Sequence, residues 1–195
     1  MKPILLSLFI ALLMVGCEGE EIIKDGPYTE YHENGQKETE ENYKDGKLDG
    51  PKTTWYENGQ KRSEGNYKDG EPDGPWTNWY ESGQKKKERN FKDGKPNGLI
   101  TVWFENGQKE VQETYKDGEP DGIWTGWYEN GQKRGEGTYK DGKLDGLWTE
   151  WYENGQKREE GNWKHRKRDG LSIFYNEDGT EEGRATYKDG EPVRD

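Results

Sequence analysis

Histidine, cysteine and aliphatic side chains are scarce in this chain of 195 residues. Only His32 and His165 could act as acid or base groups near neutral pH, and they stand far apart in the sequence. A lone cysteine, Cys17, cannot close an internal disulfide and belongs to no spaced His/Cys set that would hold zinc. Neither a Gly-Lys-Ser/Thr phosphate loop nor a Gly-x-Ser-x-Gly elbow is present. These shortages predict a protein without catalytic residues, cofactor or metal. Hydrophobic residues make up 26% of the chain, and a quarter of them lie before residue 18. What remains is mostly aromatic, too poor in aliphatics for a thick helical core. Basic residues number 30 against 41 acidic, a net charge of -11. An acidic surface repels phosphates, which excludes nucleic acid as the main ligand.

The apolar run 4–15 follows Lys2 and is too short to span a bilayer as a permanent helix. It ends in Leu13-Met14-Val15-Gly16-Cys17. This segment resembles a bacterial lipoprotein signal peptide, which implies cleavage before Cys17 and acylation of its thiol. Two acyl chains would hold the protein at a membrane, each buried CH2 contributing roughly 0.8 kcal/mol. Glu18 stands where an Asp would imply inner-membrane retention, so the expected address in a Gram-negative host is the outer membrane.

Nine Trp, twelve Tyr and 28 Gly dominate the rest. A period of 24 residues runs through it: Tyr43, Tyr67, Phe91, Tyr115, Tyr139, Trp163 and Tyr187 form one column. Gly35, Gly59, Gly83, Gly107, Gly131, Gly155 and Gly179 form another. Self-similarity at such a period marks a repeat array. The expected organisation is a leader over 1–16, a short tether with a half repeat over 17–26, and seven units over 27–194.

Each unit reads as two antiparallel strands. In 123–146 an aromatic β-prone run precedes Asn130-Gly131, a type I′ hairpin signal. A return strand follows, and Asp141-Gly142 and Asp145-Gly146 bracket a second reversal. Recurrent Gly and Pro exclude helix, since each interior Gly costs about 1 kcal/mol relative to Ala. The predicted class is all-β, an elongated single-sheet array of antiparallel hairpins. Alternation puts Ile123, Thr125 and Trp127 on one side and Trp124, Gly126 and Tyr128 on the other. The first side is the more constant between units. It is expected to be packed, with the Tyr139 column as its large partner, and the second to be half exposed.

The unit Trp-Tyr-x-Asn-Gly-Gln-Lys followed by Tyr-Lys-Asp-Gly, as in 127–146, resembles the MORN-repeat variant of bacterial proteins, many of them grouped as YwqK-like antitoxins. The resemblance implies a hairpin array that serves as a binding or scaffold module. Two surfaces are candidates for binding. Trp76, Tyr80, Trp124, Tyr128, Trp148 and Tyr152 recur on one side and could meet a protein partner or stack on a glycan. His165, Arg166, Lys167 and Arg168 form a basic cluster. Paired carboxylates such as Asp141 and Asp145 suit turn capping, with a weak cation site as the alternative. The expected function is non-catalytic: a lipid-anchored envelope protein that binds another protein. A glycan or cell-wall module, or an immunity-like partner of a toxin, is the alternative.

Overall fold

A computed structural model describes residues 25–194, so Cys17, the leader and most of the tether lie outside the described residues. Eighteen strands, from Gly26–Tyr31 to Glu191–Pro192, form one open antiparallel sheet with no helix among the described residues. The chain meanders, each strand pairing with its neighbours in sequence. Gly74–Trp79 pairs with Lys85–Lys92, which pairs in turn with Gly98–Trp103. The all-β hairpin array expected from the period is the observed architecture.

The type I′ geometry expected at the Asn-Gly reversal is found instead at the Asp-Gly reversal. At the Asn-Gly reversal the Tyr56 N–H donates to the Gln60 carbonyl and the Gly59 N–H to the Tyr56 carbonyl, each at 2.9 Å. Only Gly59 takes a positive φ there, 81°. This is a tight turn closed by a left-handed glycine, the three-residue hairpin loop, and not type I′. Asn58 contributes its side chain instead of a strained backbone, since its Oδ1 accepts the Gln60 N–H at 2.9 Å. The type I′ turn lies at Asp-Gly. Asp69 and Gly70 both have positive φ, 52° and 90°, between directly paired Lys68 and Glu71. An irregularity at Thr54/Trp55 places an extra residue, Arg62, on the return strand, as a β-bulge does.

The packed side is the second one, which corrects the expectation. Pairing sets Gly50 opposite Tyr67 and Lys52 opposite Gly65. The Tyr column therefore shares the side of residues 52, 76, 100, 124, 148 and 172, not that of the Thr column. Trp76, Phe91 and Ile100 are the buried hydrophobic residues, Ile100 only 3% exposed. Trp76 stands edge-on to Tyr67 at 5.3 Å and to Phe91 at 6.3 Å. Edge-to-face pairs contribute about 1 kcal/mol beyond the area they bury. On the opposite side Thr101, Thr125 and Thr149 are buried, while Lys61 lies 5.8 Å over the Trp79 ring and bonds Glu64 at 2.9 Å. That Lys–Trp–Glu arrangement recurs through most units.

Room for the packed rings comes from complementary pairs across neighbouring strands. A methyl group on Gly65 would lie 2.0 Å from Trp76 Cε3, and one on Gly137 would lie 2.3 Å from Trp148 Cε3. Where the first member is Lys52, the second is Glu41, joined to it by an ion pair at 2.5 Å. Where it is Ser172, the second is Gly161. Trp76 with Gly65, Trp148 with Gly137 and Lys52 with Glu41 are matched in bulk or charge, whereas Trp124 stands opposite Glu113.

Candidate functional site

Four of the six aromatic residues singled out by the pattern are Tyr or buried Trp side chains used within the fold. The Tyr80 hydroxyl donates to the Trp103 carbonyl at 2.7 Å. Tyr128 reaches the Trp151 carbonyl at 2.7 Å and Tyr152 the Tyr175 carbonyl at 2.8 Å. Each hydroxyl fastens its unit to the next. Burial raises the pKa of the Tyr80 phenol above its ordinary value, with Glu110 next in effect. Trp76 is only 8% exposed. The remaining two, Trp124 and Trp148, are half-buried and stack on each other, centroids 5.1 Å apart and planes at 24°. Trp148 Nε1 donates to Glu150 Oε1 at 3.1 Å. The structure brings these two together but places Trp76 elsewhere along the sheet.

The turn row is a second ladder. Asn58 Nδ2 donates to the Glu81 carbonyl of the next unit at 2.9 Å, and Asn106, Asn130 and Asn154 repeat the bond. The following Gln packs its Oε1 against the next unit's glycine, so that a methyl on Gly131 would lie 2.2 Å from Gln108 Oε1. Every one of these contacts runs forward, from a unit to its successor.

The basic cluster is divided by the sheet. His165, Arg166 and Lys167 are exposed at a type I′ turn, with φ of 50° at His165 and 71° at Arg166. Arg166 Nη2 donates to the Gly142 carbonyl at 2.6 Å. His165 lies 3.9 Å from Asp145. Arg168 turns inward instead. Its guanidinium lies within 5.4 Å of the Trp163, Phe174 and Tyr187 ring centroids and pairs with Glu159 at 2.6 Å. Burial raises the Glu159 pKa above the ordinary carboxylate value, with Arg168 opposing it. Its neighbour Glu160 is shifted down by the hydrogen bond from Lys157. Arg168 is thus a packing residue. Its signal in the sequence was paired: Arg168 replaces the Pro or Leu of other units in the same hairpin where Glu159 replaces Gly135.

Among the described residues no group of three or more His, Cys, Asp or Glu is placed to hold a metal ion. The Asp residues meet backbone: Asp69 N–H donates to Asp49 Oδ2 at 3.3 Å and Asp117 N–H to Asn97 Oδ1 at 3.4 Å. What the arrangement offers chemically is a periodic surface, with its polar and aromatic side chains linking units.

The family model of the MORN repeat variant matches six copies in the chain, at 24–45, 48–69, 72–93, 96–117, 120–141 and 144–165. A seventh hairpin, Lys167–Tyr175 with Glu181–Lys188, follows the last matched copy. No curated protein matches the chain.

Proposed function

This chain belongs to the MORN repeat variant family, and from that premise we propose that it is a non-catalytic, lipid-anchored repeat protein that binds another protein at the bacterial cell envelope. MORN repeats are commonly protein- or membrane-binding modules. The observation that carries the reading is the forward ladder: Tyr hydroxyls, Asn amides and Gln side chains are spent on the next unit. An open sheet of repeats then presents one motif many times over a long surface, which suits the docking of an extended partner. Cys17, following an apolar run, supplies the anchor. The Trp124–Trp148 pair favours protein contact over sugar stacking, because each ring already covers a face of the other.

Two measurements test the proposal. Labelled palmitate should enter the chain in a bacterial host and fail to enter Cys17→Ser, which should leave the membrane fraction. The immobilised chain should enrich a single protein from envelope extract. A soluble wild-type chain would remove the anchor, and retention of cell-wall glycan with no enriched protein would replace the partner.

A further inference from the structure

The large exposed hydrophobic side chains are not scattered. Leu99, Ile123, Leu147 and Leu171 are 53%, 62%, 54% and 41% exposed, and they occupy the same position in four successive units. They form a ridge on the side opposite the packed rings. The residues paired with them are uncharged: Thr114, Thr138, Asn162 and Thr186. An uncharged stripe thus crosses a chain in which 36% of residues are charged. Between Leu147 and Leu171 lies a shallow recess of about 120 Å³, walled by Glu160, Asn162 and Ile173. Half-buried Asp121 and Asp145 stand two residues before Ile123 and Leu147 and give that part of the ridge an acidic border, His165 lying 3.9 Å from Asp145, whereas Asp169, before Leu171, is paired with Lys188 at 3.1 Å.

We infer that this ridge binds a proline-rich, basic segment of the partner chain in the polyproline II conformation, an inference that rests on the protein-binding reading above. Spacing decides among conformations. Successive ridge residues are two strands apart, roughly 9.6 Å. Polyproline II returns to the same side every three residues, roughly 9.3 Å, so four contacts accumulate a mismatch of about 1 Å. A helix returns every seven residues, roughly 10.5 Å, and drifts by about 2.7 Å over the same four contacts. A β-strand repeats at about 6.7 Å and does not match. The extended conformation leaves its own carbonyls without internal hydrogen bonds, and the Thr and Asn side chains between ridge residues are donors at the same pitch. The acidic border selects a basic flank. It also disfavours a second copy of this chain docked with the two ridges antiparallel, since that arrangement would set one Asp border against the other.

The probe is a dye-labelled peptide of four Leu-Pro-Lys triplets, titrated against the full chain by fluorescence anisotropy. A peptide of the same composition, with leucines no longer at every third residue, should bind at least tenfold more weakly. Ile123→Thr with Leu147→Thr should weaken the first peptide at least tenfold and leave circular dichroism unchanged, because both side chains are exposed and Thr is β-prone. Equal binding of the two peptides, or equal binding by the double variant, overturns the inference. So does a concentration-dependent dimer abolished by the double variant in sedimentation, which would make a second copy the occupant. If the double variant still enriches the same envelope protein, the ridge fails while the protein-binding reading stands.

Discussion

Glycine acts in this protein in two unlike ways, and single substitutions separate them. Gly137 has an ordinary backbone, and its lack of a side chain is what admits Trp148. Gly137→Ala should cost about 1–3 kcal/mol, the usual penalty for overpacking. Gly183, on the last return strand, has nothing within 4 Å of an added methyl. Gly183→Ala should therefore stay within about 0.5 kcal/mol of the parent; urea unfolding of the two variants is the comparison. Backbone strain is concentrated at Arg166, with a φ of 71° where the other type I′ turns place glycine. Arg166→Gly should stabilise by about 1 kcal/mol, the excess cost of a left-handed non-glycine residue, partly offset by the lost bond to the Gly142 carbonyl. A midpoint unchanged or lowered in urea would refute that assignment.

At the scale of the hairpin, the turn ladder has one gap. Ser82 stands where the other units that precede a further hairpin have Asn, and no bond from it to Glu105 matches those made by Asn58 and Asn106. Ser82→Asn should supply the missing amide and raise stability by about 1 kcal/mol, the net yield of one hydrogen bond, measurable as a shift in thermal midpoint. Strands, period and hairpin connectivity were legible in the sequence because alternation and Asn-Gly and Asp-Gly pairs recur without insertion. The sides were not, for a definite reason. Constancy between units marked the Thr column, whereas the packed side is varied because its members are matched locally: Trp76 with Gly65, Lys52 with Glu41, and the small Ser172 and Gly161 in the unit where Arg168 turns inward. Turn type was equally hidden, since Asn-Gly and Asp-Gly both suit type I′ and only the strand register distinguishes them. In the candidate surface, aromatic recurrence was plain, but the capture of Tyr80, Tyr128 and Tyr152 by the next unit's carbonyls depends on contacts 23 residues apart. Of the apolar ridge only Ile123 entered the alternation, on the side expected to be packed, and its 62% exposure corrects that placement.

For the whole molecule, the forward direction of the ladder makes its two edges unequal. In the last hairpin Asn176, Asp178, Thr180 and Glu181 replace Tyr, Asn, Gln and Lys, so the side chains that make the forward contacts in other units are absent together. Asp178 and Thr180 bond each other instead, Thr180 Oγ1 donating to Asp178 Oδ1 at 2.5 Å. Such terminal departures cap repeat arrays and protect a sheet edge from further pairing. Restoring Tyr, Asn, Gln and Lys at these four positions should produce concentration-dependent head-to-tail oligomers in sedimentation velocity. A variant that remains at the parent's sedimentation coefficient would show that the edge is guarded by something else.

Strand order matches chain order throughout the described sheet. Tension applied between the two ends of the sheet would therefore load the ladder one rung at a time, opening it like a zipper from an end rather than shearing it as a block. Optical-trap extension should show small, evenly spaced yields at low force, each releasing one hairpin, so that the protein pays out length while the remaining hairpins keep their grip.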